Sequence, residues 1–340
     1  MWTLVRRRFV DAVIVVWLVG TLAFVLLHLA PGDPIGAALT DARVSPAIRA
    51  HWRSVYSLDQ PLVTQYRHLL SSLARGDLGY SFSQHRPVVD VLRDTFPNSL
   101  LLMGLALIAS VALGVTLGVW QALRAGTMTD RTIGAVTSGL SAVPDVWLAL
   151  MMLTLFGAQL ALFPLNGSCD PVTCGTLGAW DALRDLLHHV ALPTATLTML
   201  YSATFARVQR VALRDVLHDD AMRTARAKGV PRRQLLSHHA MRRAARPLLT
   251  TIGLSLPLLV GGTVFVERVF GWPGMGNLLV DAIGLRDYPL VIAVAIVGSL
   301  LVIVGALLSD IGNAYLDPRI RDTMLQTRAI EIPRAFVDSM

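Results

Sequence analysis

An all-α integral membrane protein of six transmembrane helices, with a small folded outer segment after the first of them, is the fold class this sequence predicts. Three observations carry it. Hydrophobic residues make up 54% of the chain and charged residues only 16%, where a soluble domain holds about a quarter charged. Several apolar runs reach about 20 residues, long enough to cross roughly 30 Å of hydrocarbon as a helix. Arginines gather in every second link between those runs, the distribution that keeps basic loops in the cytoplasm. The net charge of +7 therefore fits arginine-rich cytoplasmic loops, and no nucleic-acid partner is expected.

The predicted spans lie near residues 9–30, 98–123, 132–163, 190–212, 247–268 and 289–314. The first follows Arg6, Arg7 and Arg8. It is longer than the apolar core of a cleaved signal peptide, about 7–15 residues, and lacks a clear small-residue cleavage site, so a retained span is expected. Residues 31–97 form the outer segment, broken repeatedly by turn residues such as Asp59-Gln60-Pro61, Gly76-Asp77 and His85-Arg86-Pro87. Residues 1–30 hold the cytoplasmic N-terminus and first span, 98–318 a five-helix core with a cytoplasmic loop at 213–246, and 319–340 a cytoplasmic tail.

Orientation follows from arginine. Arg6 to Arg8, then Arg124 and Arg131, then the run from Arg207 to Arg246, and finally Arg319 to Arg334 all fall on one side of six spans. That side is the cytoplasmic one, so both termini are expected there and the protein is expected to be multi-pass.

Cys169 and Cys174 are the only cysteines. Both sit in "NGSCDPVTCG", in the outer loop between the third and fourth spans, where oxidising surroundings permit a disulfide. Asp170-Pro171 supplies a turn to close it. Two unpaired thiols are the alternative, and a metal site is not expected because no histidine lies nearby at ligand spacing.

Asp145 follows Pro144 near the middle of the third span. A carboxylate there is costly in lipid and faces a cavity or a partner group. Two readings stand: a structural Asp bonded to a neighbouring helix, or an acceptor lining a path for a cationic substrate end. Tyr201, Ser202 and Thr204 give the fourth span a polar face that could line the same path.

The stretch "DDAMRTARAKGVPRRQ" is strongly basic and helix-prone in an otherwise apolar chain. Asp219 and Asp220 stand where a helix would start, and Gly229 and Pro231 where it would stop. A helix over 219–228 places Ala221, Ala225 and Gly229 on one face that a second surface could approach closely. Arg223 and Arg226 lie towards other faces and can reach carboxylates on a partner. One reading is a solvated basic loop that only enforces topology. The other is a docking element, with Asp220, Ala221, Arg223, Thr224, Ala225, Arg226, Lys228 and Gly229 as its residues.

"RTARAKGVPRRQLLSHHAMRRAARP" resembles the cytoplasmic coupling loop of ABC-importer permeases of the dipeptide, oligopeptide and nickel (B-type peptide permease) branch. Arg223-Thr224-Ala225 and Gly229 occupy the places of the family's Glu-Ala-Ala triplet and Gly; the Glu is absent. "HLAPGDP" at 28–34, "SLDQPLVTQYRHLLSSLARGDLGYSF" at 57–82, "LHHVALPTATL" at 187–197 and "VFVERVFGWPGMGNLLVDAIGLRDYP" at 264–289 resemble further signatures of that branch, in order. The resemblance covers about residues 2–321 and leaves 323–340 without a counterpart.

It implies a type I ABC importer permease fold in a bacterial cytoplasmic (inner) membrane, forming a heterodimer with a second homologous permease subunit amid membrane lipids. Two ATPase subunits, or one fused ATPase, would bind ATP and Mg below, and an extracytoplasmic substrate-binding protein would deliver the cargo. Cargo is expected to be di- or oligopeptides; nickel chelates, glutathione and sugars are the alternatives within the fold, and a six-span channel or receptor is the alternative of another class. The turn at Trp272, Pro273, Gly274 and Met275, with Glu267 before it, would reach towards the binding protein with Met275 as an apolar tip; a plain hairpin turn reads equally well. No catalytic residue and no cofactor of the chain's own is expected: there is no Gly-x-x-x-x-Gly-Lys-[Ser/Thr] phosphate loop, and Lys228, the only lysine, is followed by Gly229. The pairs His188-His189 and His238-His239 lack the spacing of a shared helix face, and Ser237 has no sign of a triad.

Overall fold

A computed structural model describes residues 2–29 and 60–316. Residues 30–59 of the outer segment and residues 317–340, which include the expected tail, lie outside that description, and with them the greater part of the "HLAPGDP" signature.

Helix α1 covers Trp2–Leu29. Its flanks Phe9, Val13, Trp17, Leu22 and Leu26 are exposed, and it packs on the last helix and on the outer helix α2, Leu62–Ala74. A short hairpin follows, β1 Tyr80–Ser81 antiparallel to β2 Arg86–Pro87, with Tyr80 opposite Pro87. The outer segment is thus folded where it is described.

Helix α3 runs Val88–Leu123, starting ten residues before the predicted span. Pro97 sits inside it. The carbonyl that this proline leaves without a donor belongs to Arg93, which like Pro97 is exposed, so the interruption faces outward.

The third span is where the expectation of one continuous helix fails. Helix α4, Met128–Ala142, and helix α5, Asp145–Met152, which continues as a π-helical segment Leu153–Gln159, meet at an angle of 103°. Proline pushes its preceding residue out of the helical region. Val143 accordingly has ψ 130° and Pro144 has ψ 137°, and Asp145 opens a new helix.

Helix α6 is Ala179–His218, α7 is Asp220–Ala227, α8 is the single turn Arg232–Gln234 before a π-helical turn Leu235–Ala240, α9 is Met241–Val269, α10 is Met275–Gly284 and α11 is Tyr288–Leu316. Among the described residues, helices α1, α3 and α11 are long and apolar enough to cross a membrane, and the bent α4–α5 pair is so too when its two helices are counted together as one span. Helices α6 and α9 carry more polar side chains and cover the fourth and fifth predicted spans. They pack along α3 and α11.

The α3–α6 crossing is the closest. Gly114 and Gly118, four residues apart, present bare backbone to α6. A Cβ on Gly114 would lie 2.5 Å from the Phe205 Cβ, and one on Gly118 2.5 Å from the Ala206 carbonyl oxygen. Small residues at this spacing let membrane helices meet backbone to backbone, where dispersion rather than water expulsion holds them.

Three apolar clusters stack along the bundle. One joins Val88, Val91, Met275, Leu278, Leu290 and Val294. A second joins Leu102, Ala106, Ala149, Leu197, Phe270 and Trp272. The third, where α6 runs into α7, joins Ala122, Leu213, Met222, Leu235, Ala240 and Ala244.

Candidate coupling surface and translocation path

The basic segment folds as a capped helix standing off the end of α6. Asp219 is extended, with ψ 147°, and its carbonyl accepts the Met222 amide at 2.9 Å. Its carboxylate leaves the helix and pairs with Arg243 at 2.5 Å, tying α7 to α9. At the other end Gly229 takes φ +77°, and the Val230 amide returns to the Ala225 carbonyl at 3.2 Å. This left-handed turn is the stop that glycine makes cheap.

Met222 pins the helix down. It is 2% exposed, wedged among Leu213, Leu235, Ala240 and Ala244. Its face turns Ala225 inward as well, to half-burial, while Ala221 and Gly229 stay exposed. The expected stripe of three small residues on one free face is therefore split by the packing. What α7 offers outward is Asp220, Ala221, Arg223, Thr224, Arg226, Lys228 and Gly229. Arg223 leans on Asp220 at 3.4 Å, and the Thr224 hydroxyl donates to the Asp220 carbonyl at 2.9 Å. Met222 was legible only as a lone large apolar residue in a polar helix.

At the bend, Asp145 is half-buried at the first position of α5. Its helix α5 packs on α6, which carries the half-buried Tyr201. Thr204, one turn further, is exposed. Ser202 departs from the expectation: it is 2% exposed and faces α3, where its carbonyl would meet a Cβ on Gly114 at 2.7 Å. On a helix, neighbouring residues diverge by about 100°, so Ser202 belongs to the packing face and not to a path.

The outer turn is also corrected. Glu267 and Trp272 are fully buried and Met275 is 5% exposed within the apolar core. Met275 is therefore no exposed tip; it begins helix α10. The Glu267 carboxyl group accepts from the Ser99 hydroxyl at 2.7 Å and from the Gly276 and Asn277 amides at 2.7 and 3.1 Å, at the positive end of α10. Gly274 is required because a Cβ there would strike the Glu267 carboxylate. Pro273 is half-buried and its carbonyl accepts from Asn98 at 2.9 Å.

Cys169 and Cys174 are joined as a disulfide. The Asp170 carbonyl accepts the Thr173 and Cys174 amides at 3.2 and 2.8 Å, closing the turn between them. No cluster of metal-ligating side chains occurs among the described residues. A partly buried ion pair that the sequence did not reveal joins α4 to α6. Arg210 meets Asp130 in a fork, Nε to Oδ1 at 2.7 Å and Nη2 to Oδ2 at 2.8 Å.

Comparison with known proteins places the chain in a family. Residues 114–322 match the model of the binding-protein-dependent transport system inner membrane component, and residues 1–103 match the N-terminal model of such membrane components. The oligopeptide transport system permease protein AppB of Bacillus subtilis is 35% identical over 88% of this chain and 93% of its own length. The glutathione transport system permease protein GsiC of Escherichia coli K12 is 34% identical over 94% of this chain and 99% of its own. A probable peptide ABC transporter permease of Sinorhizobium fredii, y4tP, is 36% identical over 94% of this chain and 100% of its own. In three dimensions, an inward-facing crystal form of the MetNI methionine ABC transporter superposes with a TM-score of 0.53, at 16% identity over 67% of this chain and 96% of the other. The fold is thus that of a type I importer permease, and the chain belongs to the family of binding-protein-dependent transport system inner membrane components.

Proposed function

We propose that this chain is one half of the membrane pore of an ATP-driven importer that carries short peptides inward. The cargo rests on one observation: relatives aligned over nearly the whole chain are named for oligopeptides, peptides and glutathione. A second homologous permease subunit completes the pore. An extracytoplasmic binding protein delivers the peptide, and two ATPase subunits or one fused ATPase bind ATP and Mg on the cytoplasmic side. Both termini lie in the cytoplasm, in keeping with the arginine distribution.

The role of α7 follows from its construction. A rigid, capped helix anchored by Met222 and by the Asp219–Arg243 pair transmits a push from a docked ATPase into α6 and α9. Those helices flank the bend at Asp145, so closure of the ATPases re-orients the pore as one body against another.

The test is reconstitution in proteoliposomes with the partner subunits, binding protein and lumenal or external ATP as the orientation demands. The complete set takes up radiolabelled trialanine with ATP. The single chain does not. ATP-driven uptake by the purified chain alone, or a complete complex that moves a nickel chelate or a sugar but no peptide, overturns the proposal.

A further inference from the structure

The charges inside the six predicted spans can be accounted for one by one. Asp11 and Asp310 share Arg8, at 3.5 and 2.6 Å. Arg210 is held by Asp130. Glu267 is satisfied by Ser99 and two amides of α10. Arg268 reaches Asp281 at 2.6 Å and Asn277 at 2.9 Å. Two charges remain. Among the described residues no basic side chain pairs with Asp145 and no carboxylate pairs with Arg207. Arg207 is exposed, and its guanidinium touches only the exposed Ser141 hydroxyl, at 3.4 Å.

These two charges, of opposite sign, flank the bend between α4 and α5. Asp145 opens α5, which packs on α6, the helix that carries Arg207. Ser141, the contact of Arg207, is on α4 just before the bend that Asp145 ends. An unpaired ion facing hydrocarbon is costly, so a surface with two of them faces water or a polar occupant. The exposed flank of α1, with Phe9, Val13 and Trp17, has the opposite character.

We infer that Asp145 and Arg207 form a transient binding site in the translocation path for the two ends of a short peptide, Asp145 taking the N-terminal ammonium and Arg207 the C-terminal carboxylate. The inference rests on the peptide-importer reading and adds to it the form of the cargo: both termini free. Ser141, the contact of Arg207, stands four residues before Asp145, at most about 14 Å of extended chain, so one short peptide can reach both charges. Arginine suits the carboxylate, because its planar fork matches two oxygens. Thr204, exposed one turn before Arg207 on α6, supplies a hydroxyl beside that charge.

Two experiments on the assembled, reconstituted complex decide it. The chain's only cysteines are joined to each other, so a thiol placed at 145 or 207 is the only free one on this subunit. Asp145→Cys and Arg207→Cys are each treated with a membrane-impermeant, water-soluble methanethiosulfonate, and labelling is read on this chain by mass. Both are expected to react. An unreactive thiol at either position places that charge in a sealed interface and overturns the inference. Uptake is then compared for trialanine, its C-terminal amide and its N-acetyl form, each first shown to bind the binding protein. Arg207→Gln is expected to slow free trialanine roughly tenfold and to leave the amide at its wild-type rate. Asp145→Asn is expected to do the same for the free amine against the acetylated form. Equal slowing of blocked and free peptides by either variant, or no slowing, overturns the assignment of termini. Wild-type complex that takes up no peptide at all refutes the importer reading instead, while the labelling result still reports whether the path runs here.

Discussion

Gly229 shows how one residue's conformation sets the end of a functional helix. It takes φ +77°, and a Cβ placed on it would meet nothing within 4 Å, so the demand there is for backbone conformation and not for room. Leu in the left-handed region costs roughly 1–2 kcal/mol, and Asn less. Gly229→Leu is therefore expected to leave the complex assembled but to reduce both substrate-stimulated ATPase and uptake several-fold, with Gly229→Asn falling between it and wild type. Equal activity of all three forms would show that the cap conformation is irrelevant to coupling. The position was legible in the sequence from Gly229 and Pro231 standing after a basic run. The burial of Met275 was not, because an apolar residue after Pro-Gly reads equally as a turn tip or a helix start; Glu267 at the amide end of α10 decides for the helix.

At the scale of elements, the α3–α6 contact shows what small residues do in a membrane. Gly118 is pressed against backbone: a Cβ would lie 2.5 Å from the Ala206 oxygen and 2.8 Å from the Gln209 Cβ. Carbonyl and helix backbone cannot step aside, so the helices must part. Gly104, on the same helix, has nothing within 4 Å. Gly118→Leu is expected to destabilise the subunit by about 1–3 kcal/mol, seen as a lower melting temperature in detergent. Gly104→Ala is expected to hold or raise it by up to about 1 kcal/mol through helix propensity. A Gly118→Leu protein that melts with wild type would mean that α3 and α6 are not in backbone contact. The break in the third span belongs to this scale too. Pro144 was visible, but a proline inside a long apolar run reads as a kink as easily as a break. Extended Val143 and Pro144 together turn the chain through 103°.

For the molecule as a whole, the arginine count makes a topological prediction. An alkaline phosphatase fused after α11 is expected to be inactive and a green fluorescent protein fused there to be bright, both reporting a cytoplasmic C-terminus. A thiol introduced at Ser71 in α2 is expected to react with an impermeant reagent added from outside intact spheroplasts. An active phosphatase fusion, or a Ser71→Cys protein labelled only after lysis, would reverse the orientation and with it the placing of α7 beside the ATPases. The same orientation puts the Cys169–Cys174 disulfide on the oxidising side, where such bonds persist.

Local chemistry along the chain was enough for the membrane class, the order of the long helices, the proposed sidedness and the capped basic helix. Apolar run length, the sign of charge in each link and the backbone preferences of Gly and Pro are all read without knowing what packs on what. The faces were another matter. Packing sent Ser202 to the α3 contact and left Thr204 free, drew Met222 and Ala225 inward while Ala221 stayed out, and sank Trp272 and Met275 into the core. It also paired Arg210 with Asp130 and left Arg207, three residues earlier, without a carboxylate among the described residues. The reason is physical: a helix presents all its faces to its surroundings, and only the packing of other helices, distant in sequence, fixes which of them is buried, which meets lipid and which meets water.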